Sequence, residues 1–225
     1  MNEPIDAAED RTVEIDAGDL RLEATLHLPE NPRGLIVLME GITGGRFRSR
    51  NWFVAGVMHD YDLATLVVDM LDDDEEPIGP DSDERRFDVA DLTDRLIATL
   101  DWIDNDEDVG DLPVGLFGAS IGAAAALIAA SKRPEAVDAI VSRGGRPDLA
   151  EDELPDITAP TLLLVGSNDF QVIELNEEAM EQLGDDSQMS LISGASHFFT
   201  ESGTLERVAH LAGKWFEQHV RAPTS

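Results

Sequence analysis

The chain has 225 residues, 47 acidic and 16 basic, with a formal net charge of −31 and no cysteine. That charge excludes nucleic-acid or anionic-membrane binding as a main role, and the lack of cysteine excludes disulfides, a thiolate metal site and a Cys nucleophile. With 42% hydrophobic residues a core is available, and the length fits one domain that buries roughly 70% of its unfolded surface.

Residues 1–10 read as a frayed terminus and 11–221 as one domain. The start is polar and acidic, with no signal peptide in view, and no apolar run approaches a membrane span. A cytoplasmic location is therefore expected. Thr12–Ile15 and Leu20–Leu28 alternate around the turn signal Ala17-Gly18-Asp19, which predicts a hairpin. Gly34–Glu40 is a buried strand, and Gly41–Arg50 a Gly- and Arg-rich loop. Asn51–Met58 carries a helical pattern. Leu63–Asp69 is a second buried strand, and Met70–Arg86 a long acidic loop.

From Val89, apolar residues at 89, 92, 96, 100 and 103 mark one helix face. Leu112–Phe117 is a short apolar run, followed by Gly118-Ala119-Ser120-Ile121-Gly122 and the alanine-rich stretch 123–130. Alanine is the best helix former, so the order is strand, sharp turn, helix. In that context G-x-S-x-G is a nucleophile elbow, with Ser120 on a strained turn beside a helix N-terminus. Val137–Ser142 and Pro160–Val165 are further strands, with about one turn of helix between them at 148–153. Val172, Leu175, Ala179 and Leu183 mark a helix, Gln188–Ile192 the last strand, and Leu205–Val220 the last helix. Continuous Val/Ile/Leu strands alternating with helices predict an α/β fold. Its mostly parallel sheet would be covered on both faces, with the hairpin as an antiparallel edge and no large lid.

Reactive groups in such sheets gather at the carboxyl ends of the strands. Ser120, Asp169 and His197 each follow a strand, in the chain order of an α/β-hydrolase triad. Serine needs a base, and the base an orienting acid. Asp148 is a reserve acid. The oxyanion hole needs two backbone donors, expected from Ile121 and from Ile42 after the 34–40 strand. Arginine is scarce, yet Arg46, Arg48, Arg50, Arg143 and Arg146 fall on two loops at this edge. Two readings stand: a positive mouth for a substrate carboxylate, or local pairing with acids such as Glu40, Asp69 or Asp148. The run Asp72–Glu76 lacks the spaced ligands of a calcium loop and reads as solvated, so no metal or cofactor is expected.

From about Thr12 to Val220 the sequence resembles an α/β-hydrolase without a lid, in the dienelactone hydrolase-like branch. The resemblance is carried by 118–125 (GASIGAAA), by 142–149 (SRGGRPDL), and by 159–163 (APTLL) leading to Gly166 and Asp169. It implies Ser120 as nucleophile, Asp169 as acid and His197 as base. Members also occur fused to a phosphoribosyltransferase domain, which is expected to be absent here. Dienelactone hydrolases proper use a Cys nucleophile where this chain has Ser120, so lactone specificity does not carry over. Related enzymes commonly read His-Gly where this chain has Glu40-Gly41. The composition also resembles that of salt-in halophilic archaea, in which multimolar salt screens self-repulsion. The expected function is a serine hydrolase of small esters, thioesters or lactones. The alternative is a non-catalytic binding or interaction module on the same fold. A homodimer is the default oligomer.

Overall fold

The computed structural model describes residues 10–40, 45–70 and 88–220, with backbone only for 40 and 45–48. The expectations for residues 1–9, for Ile42 and for the acidic run Asp72–Glu76 lie outside the described residues. So do those for the side chains of Glu40, Arg46 and Arg48.

The strands are β1 (Asp10–Ala17), β2 (Leu20–His27), β3 (Leu35–Glu40), β4 (Ala64–Val68), β5 (Val114–Ala119), β6 (Ala139–Arg143), β7 (Thr161–Gly166) and β8 (Gln188–Ile192). They form one sheet in the order β1-β2-β4-β3-β5-β6-β7-β8. β1 pairs with β2, and β2 with β4, antiparallel. All other pairs are parallel. This is the fold of the α/β-hydrolases, with the hairpin at the antiparallel edge.

The helices are α1 (Gly45–His59), α2 (Val89–Asn105), α3 (Ile121–Lys132), α4 (Phe170–Met180) and α5 (Thr204–His219). Alternate residues of each central strand feed two cores. Leu35, Val37 and Met39 of β3 and Leu116 of β5 pack with Leu92, Leu96 and Leu100 of α2 and the alanines of α3. Ile36, Leu38 and Phe117 pack on the other face with Val54 and Met58 of α1 and Val208, Trp215 and Phe216 of α5. Both faces being buried is why the strands read as unbroken apolar runs. Asp88 caps α2, its carboxylate accepting from the Ala90 N–H at 3.1 Å.

Most strand ends shift by one or two residues from expectation, and three boundaries differ in an informative way. β1 begins at Asp10, two residues early, because its pairing extends to Asp10 opposite His27. α1 begins at Gly45, inside the segment expected to be loop; its first turn has no apolar stripe to reveal it. The short helix after β6 is a ten-residue 3-10 segment, Pro147–Asp156, kinked at Ala150.

At the amino end of the parallel strands, His27 and His59 stack with ring centroids 3.7 Å apart. His27 Nδ1 lies 2.9 Å from Asp10 Oδ1, and His59 Nε2 lies 3.0 Å from Thr65 Oγ1. Burial, then the neighbouring His27, lower the His59 pKa from 6.5, against the opposing pull of Asp10 and Asp60. A group held neutral in this way contributes stability above its unfolded pKa and loses it as pH falls from that value through the lowered folded one. Thermal midpoints should therefore fall between pH 7 and 5, and His59→Gln should lessen the fall. Equal slopes for both proteins would refute this coupling.

Candidate active site

β5 ends at Ala119 and α3 begins at Ile121, leaving Ser120 as the one residue between them. Its backbone has φ 53° and ψ −122°. For a residue with a side chain this is strained, by about 1–3 kcal/mol. The turn is held from three sides. The Ser120 N–H donates to the Arg143 carbonyl at 3.2 Å, and the Ser120 carbonyl accepts from the Ala123 and Arg146 N–H groups at 3.2 and 3.3 Å. Gly118 makes the close approach feasible: a Cβ there would stand 2.6 Å from Ala123 Cα and from the Gly122 carbonyl oxygen. The Ile121 N–H is the first of α3, in the turn whose amides have no partner within the helix.

Asp169 sits at the N-cap position of α4, but its carboxylate does not cap the helix. Instead His197 Nδ1 donates to Asp169 Oδ2 at 2.6 Å. The side chains are 15% and 31% exposed for Asp169 and His197, so the pair is partly withdrawn from water while the ring keeps an accessible edge.

The turn after β7 and the loop after β8 are stitched together. The Ser167 and Asn168 N–H groups donate to the Ile192 and Ala195 carbonyls, each at 3.0 Å. Asn168 Nδ2 donates to the Gly194 carbonyl at 3.0 Å, and the Gly194 N–H to Ser167 Oγ at 2.9 Å. Asp169 and His197 therefore sit on loops tied to one another by backbone and side-chain hydrogen bonds.

These loops abut the elbow through Gly144, the residue after Arg143. Gly144 has φ +53°, and a Cβ on it would lie 3.4 Å from the His197 carbonyl oxygen and 3.8 Å from Nδ1. Ser120 and His197 thus flank the same short segment, residues 143–144. Two of the expected residues, Asp169 and His197, are in direct contact. Ser120 and Ile121 stand at the adjoining strand end.

The remaining expectations divide. Arg146 forks onto Asp148, Nε to Oδ1 at 2.7 Å and Nη2 to Oδ2 at 2.6 Å. Local pairing is therefore what this structure holds for Arg146, and its carboxylate-accepting role would require breaking that fork. The same fork ties Asp148 to Arg146, while Asp169 is the acid on His197. Arg143 is buried, its Cζ 5.9 Å from the centroid of the Phe117 ring. Among the described residues no group of three or more His, Asp or Glu could hold a metal ion, and no helix is long and apolar enough to cross a membrane.

Sequence reasoning passed over three exposed apolar side chains. Leu149, Phe170 and Phe198 are 41%, 78% and 48% exposed. Each directly follows one of the residues Asp148, Asp169 and His197. The Phe198 ring meets the His197 ring edge-on at 5.0 Å. Large apolar residues adjacent to loop acids and bases were the available signal.

Residues 69–219 match the model of the dienelactone hydrolase family. A Mycobacterium tuberculosis protein bearing the name of a phosphoribosyl transferase is 44% identical over 214 residues, which are 95% of this chain and 47% of that protein. The chain thus spans about half the length of the curated relatives it matches. A dienelactone hydrolase from Anabaena variabilis superposes with a TM-score of 0.90 at 43% identity, covering 95% of this chain and 99% of that one. Est1E from Butyrivibrio proteoclasticus, at 17% identity and a TM-score of 0.76, covers 92% and 98% and shares the fold. On the family match and the identity to the Anabaena protein together, the chain belongs to the dienelactone hydrolase family.

Proposed function

We propose that the protein is a serine hydrolase of small carboxylic esters, thioesters or lactones. The observation that carries the reading is the 2.6 Å Asp169–His197 bond at the strand edge where Ser120 stands strained ahead of α3. Asp169 accepts from Nδ1 and so leaves Nε2 unprotonated, the tautomer a general base needs. In the proposed step Ser120 Oγ attacks the carbonyl carbon while His197 Nε2 takes the hydroxyl proton. The Ile121 amide holds the oxyanion. Ile42, from the segment after β3, is proposed as the second donor. Collapse breaks the bond to the leaving alcohol or thiol, which receives the proton from His197. Water, deprotonated by the same nitrogen, then cleaves the acyl-enzyme and regenerates Ser120.

The exposed side chains of Leu149, Phe170 and Phe198, each next in sequence to Asp148, Asp169 or His197, support a substrate that is neutral and presents an apolar face. A net charge of −31 and an Arg146 already engaged weigh against an anionic one. The name and identity of the Anabaena relative also support a hydrolase.

A second reading, a non-catalytic binding module, is favoured by one feature. Glu40 pairs with Ala119 in the sheet register, one residue before the elbow. A carboxylate there would oppose a developing oxyanion. The test is a panel of short-chain aryl and alkyl esters in multimolar KCl. Hydrolysis by the wild type and none above background by Ser120→Ala supports the hydrolase. No turnover by the folded wild type across the panel supports the module.

A further inference from the structure

We infer that Arg50 is a positioning residue for His197, acting by pinning the peptide plane that follows it. The inference rests on the assignment of His197 as the base.

His197 and Phe198 are the central residues of a tight turn, closed by the Phe199 N–H donating to the Ser196 carbonyl at 3.2 Å. The turn ends in an unusual conformation. Phe199 has φ 50°, one of three non-glycine residues with positive φ among the described residues. For an aromatic side chain this is a strained state that persists only when its surroundings enforce it. Two contacts do so. The Phe199 ring is buried, 3% exposed, and its Cε2 atom would lie 3.3 Å from a Cβ on Gly144. On the opposite side, Arg50 Nη1 donates to the Phe198 carbonyl at 2.7 Å.

The second contact governs which way the peptide faces. The Phe198 carbonyl and the Phe199 N–H belong to one rigid plane. Flipping that plane by about half a turn changes ψ of Phe198 and φ of Phe199 together, and it would return Phe199 to negative φ. The flip would relieve the strain. It would also turn the Phe199 N–H away from Ser196 and open the turn that carries His197. A charged donor on the carbonyl, stronger than a neutral one, opposes that flip. Arg50 comes from α1, 148 residues away in sequence, and α1 packs into a different core from α4, which follows Asp169.

A second tether supports the same turn. The Ser196 N–H donates to Glu201 Oε2 at 3.1 Å, and hydrogen bonding by the Ser196 side chain first, with backbone N–H groups including this one after it, lowers the Glu201 pKa. The tether holds the start of the turn. Arg50 takes the carbonyl at its far end.

The experiment is proton NMR of the His197 Nδ1–H resonance, shifted far downfield by its bond to Asp169 and assigned by its loss in Asp169→Asn. It is paired with kcat and KM on a short-chain ester. Arg50→Met should broaden or abolish the resonance. It should also lower kcat by about a hundred-fold, the scale of a 1 Å misplacement, with KM within about two-fold and the thermal midpoint little changed. Arg50→Lys, which can still donate once to a carbonyl, should restore most of both signals. Arg50→Gln, shorter and uncharged, gives the same readout should Arg50→Met fail to fold.

An unchanged resonance and kcat in Arg50→Met overturn the inference. So does a loss that tracks the fall in midpoint and is no better in Arg50→Lys. If the wild type hydrolyses nothing, the hydrolase reading fails. The resonance in wild type against Arg50→Met then still decides the inference.

Discussion

Asp169→Asn is expected to lower kcat for a short-chain ester by about four orders of magnitude and to leave the fold intact. The size of the effect follows from a single proton. Asp169 Oδ2 accepts from His197 Nδ1 at 2.6 Å, which puts the lone pair on Nε2. Asparagine can turn its amide nitrogen to the ring and donate, and the imidazole then carries its proton on Nε2. In that tautomer it cannot take one from Ser120. The carboxylate also stabilises the imidazolium formed during attack, and its 15% exposure lets little water substitute for it. Asparagine is nearly isosteric, and the turn it sits in is held by the backbone and by Ser167 and Asn168, so stability should change little. A loss of only about ten-fold would show that His197 does not serve as the base.

The second large effect is on stability. Raising KCl from about 0.2 to 3 M should raise the thermal midpoint by about 10 °C or more. This corresponds to a few kcal/mol at the usual 2–4 °C per kcal/mol for a chain of this size. Several of the few cations are already engaged. Arg133 is shared by Asp104 and Glu135, each at 2.9 Å, and by Asp101 in a still closer contact. The side-chain bonds to Asp101 and Glu135 raise its pKa well above the ordinary arginine value. Arg11 lies between Asp106 and Asp108, and Arg21 between Glu14 and Asp16. Exposed pairs of this kind contribute little each. They cannot offset a net charge of −31, so self-repulsion dominates at low salt. At 1 M the Debye length is already about 3 Å, shorter than most distances between surface carboxylates. A midpoint that is flat or falling with KCl would contradict this.

Much of this architecture was legible because burial leaves a pattern. β3 and β7 are covered at the positions where Val, Ile and Leu run together, and α2 carries its apolar residues at helical spacing. The elbow was legible for a different reason: so sharp a turn between strand and helix demands small residues around Ser120. Asp169 and His197 followed from topology, since each lies just past a parallel strand.

What stayed hidden depended on partners distant in sequence. The first turn of α1 shows no apolar stripe, so its helical state could not be read from periodicity. Arg146 was ambiguous until its fork with Asp148 was seen, because an arginine near an acid looks the same whether it serves the fold or a ligand. The Arg50 bond to the Phe198 carbonyl has no sequence signature at all. It joins a side chain to a backbone oxygen 148 residues away, and the strain it restrains at Phe199 is a property of conformation rather than of residue type.

The central claim is that Ser120 is an activated nucleophile. The most direct measurement is covalent labelling by a fluorophosphonate in multimolar KCl, comparing wild type with Ser120→Ala by intact mass. The account predicts one adduct on the wild type, mapped to Ser120 and absent from the variant. A folded wild type that stays unlabelled, or an equal adduct on Ser120→Ala, would contradict it.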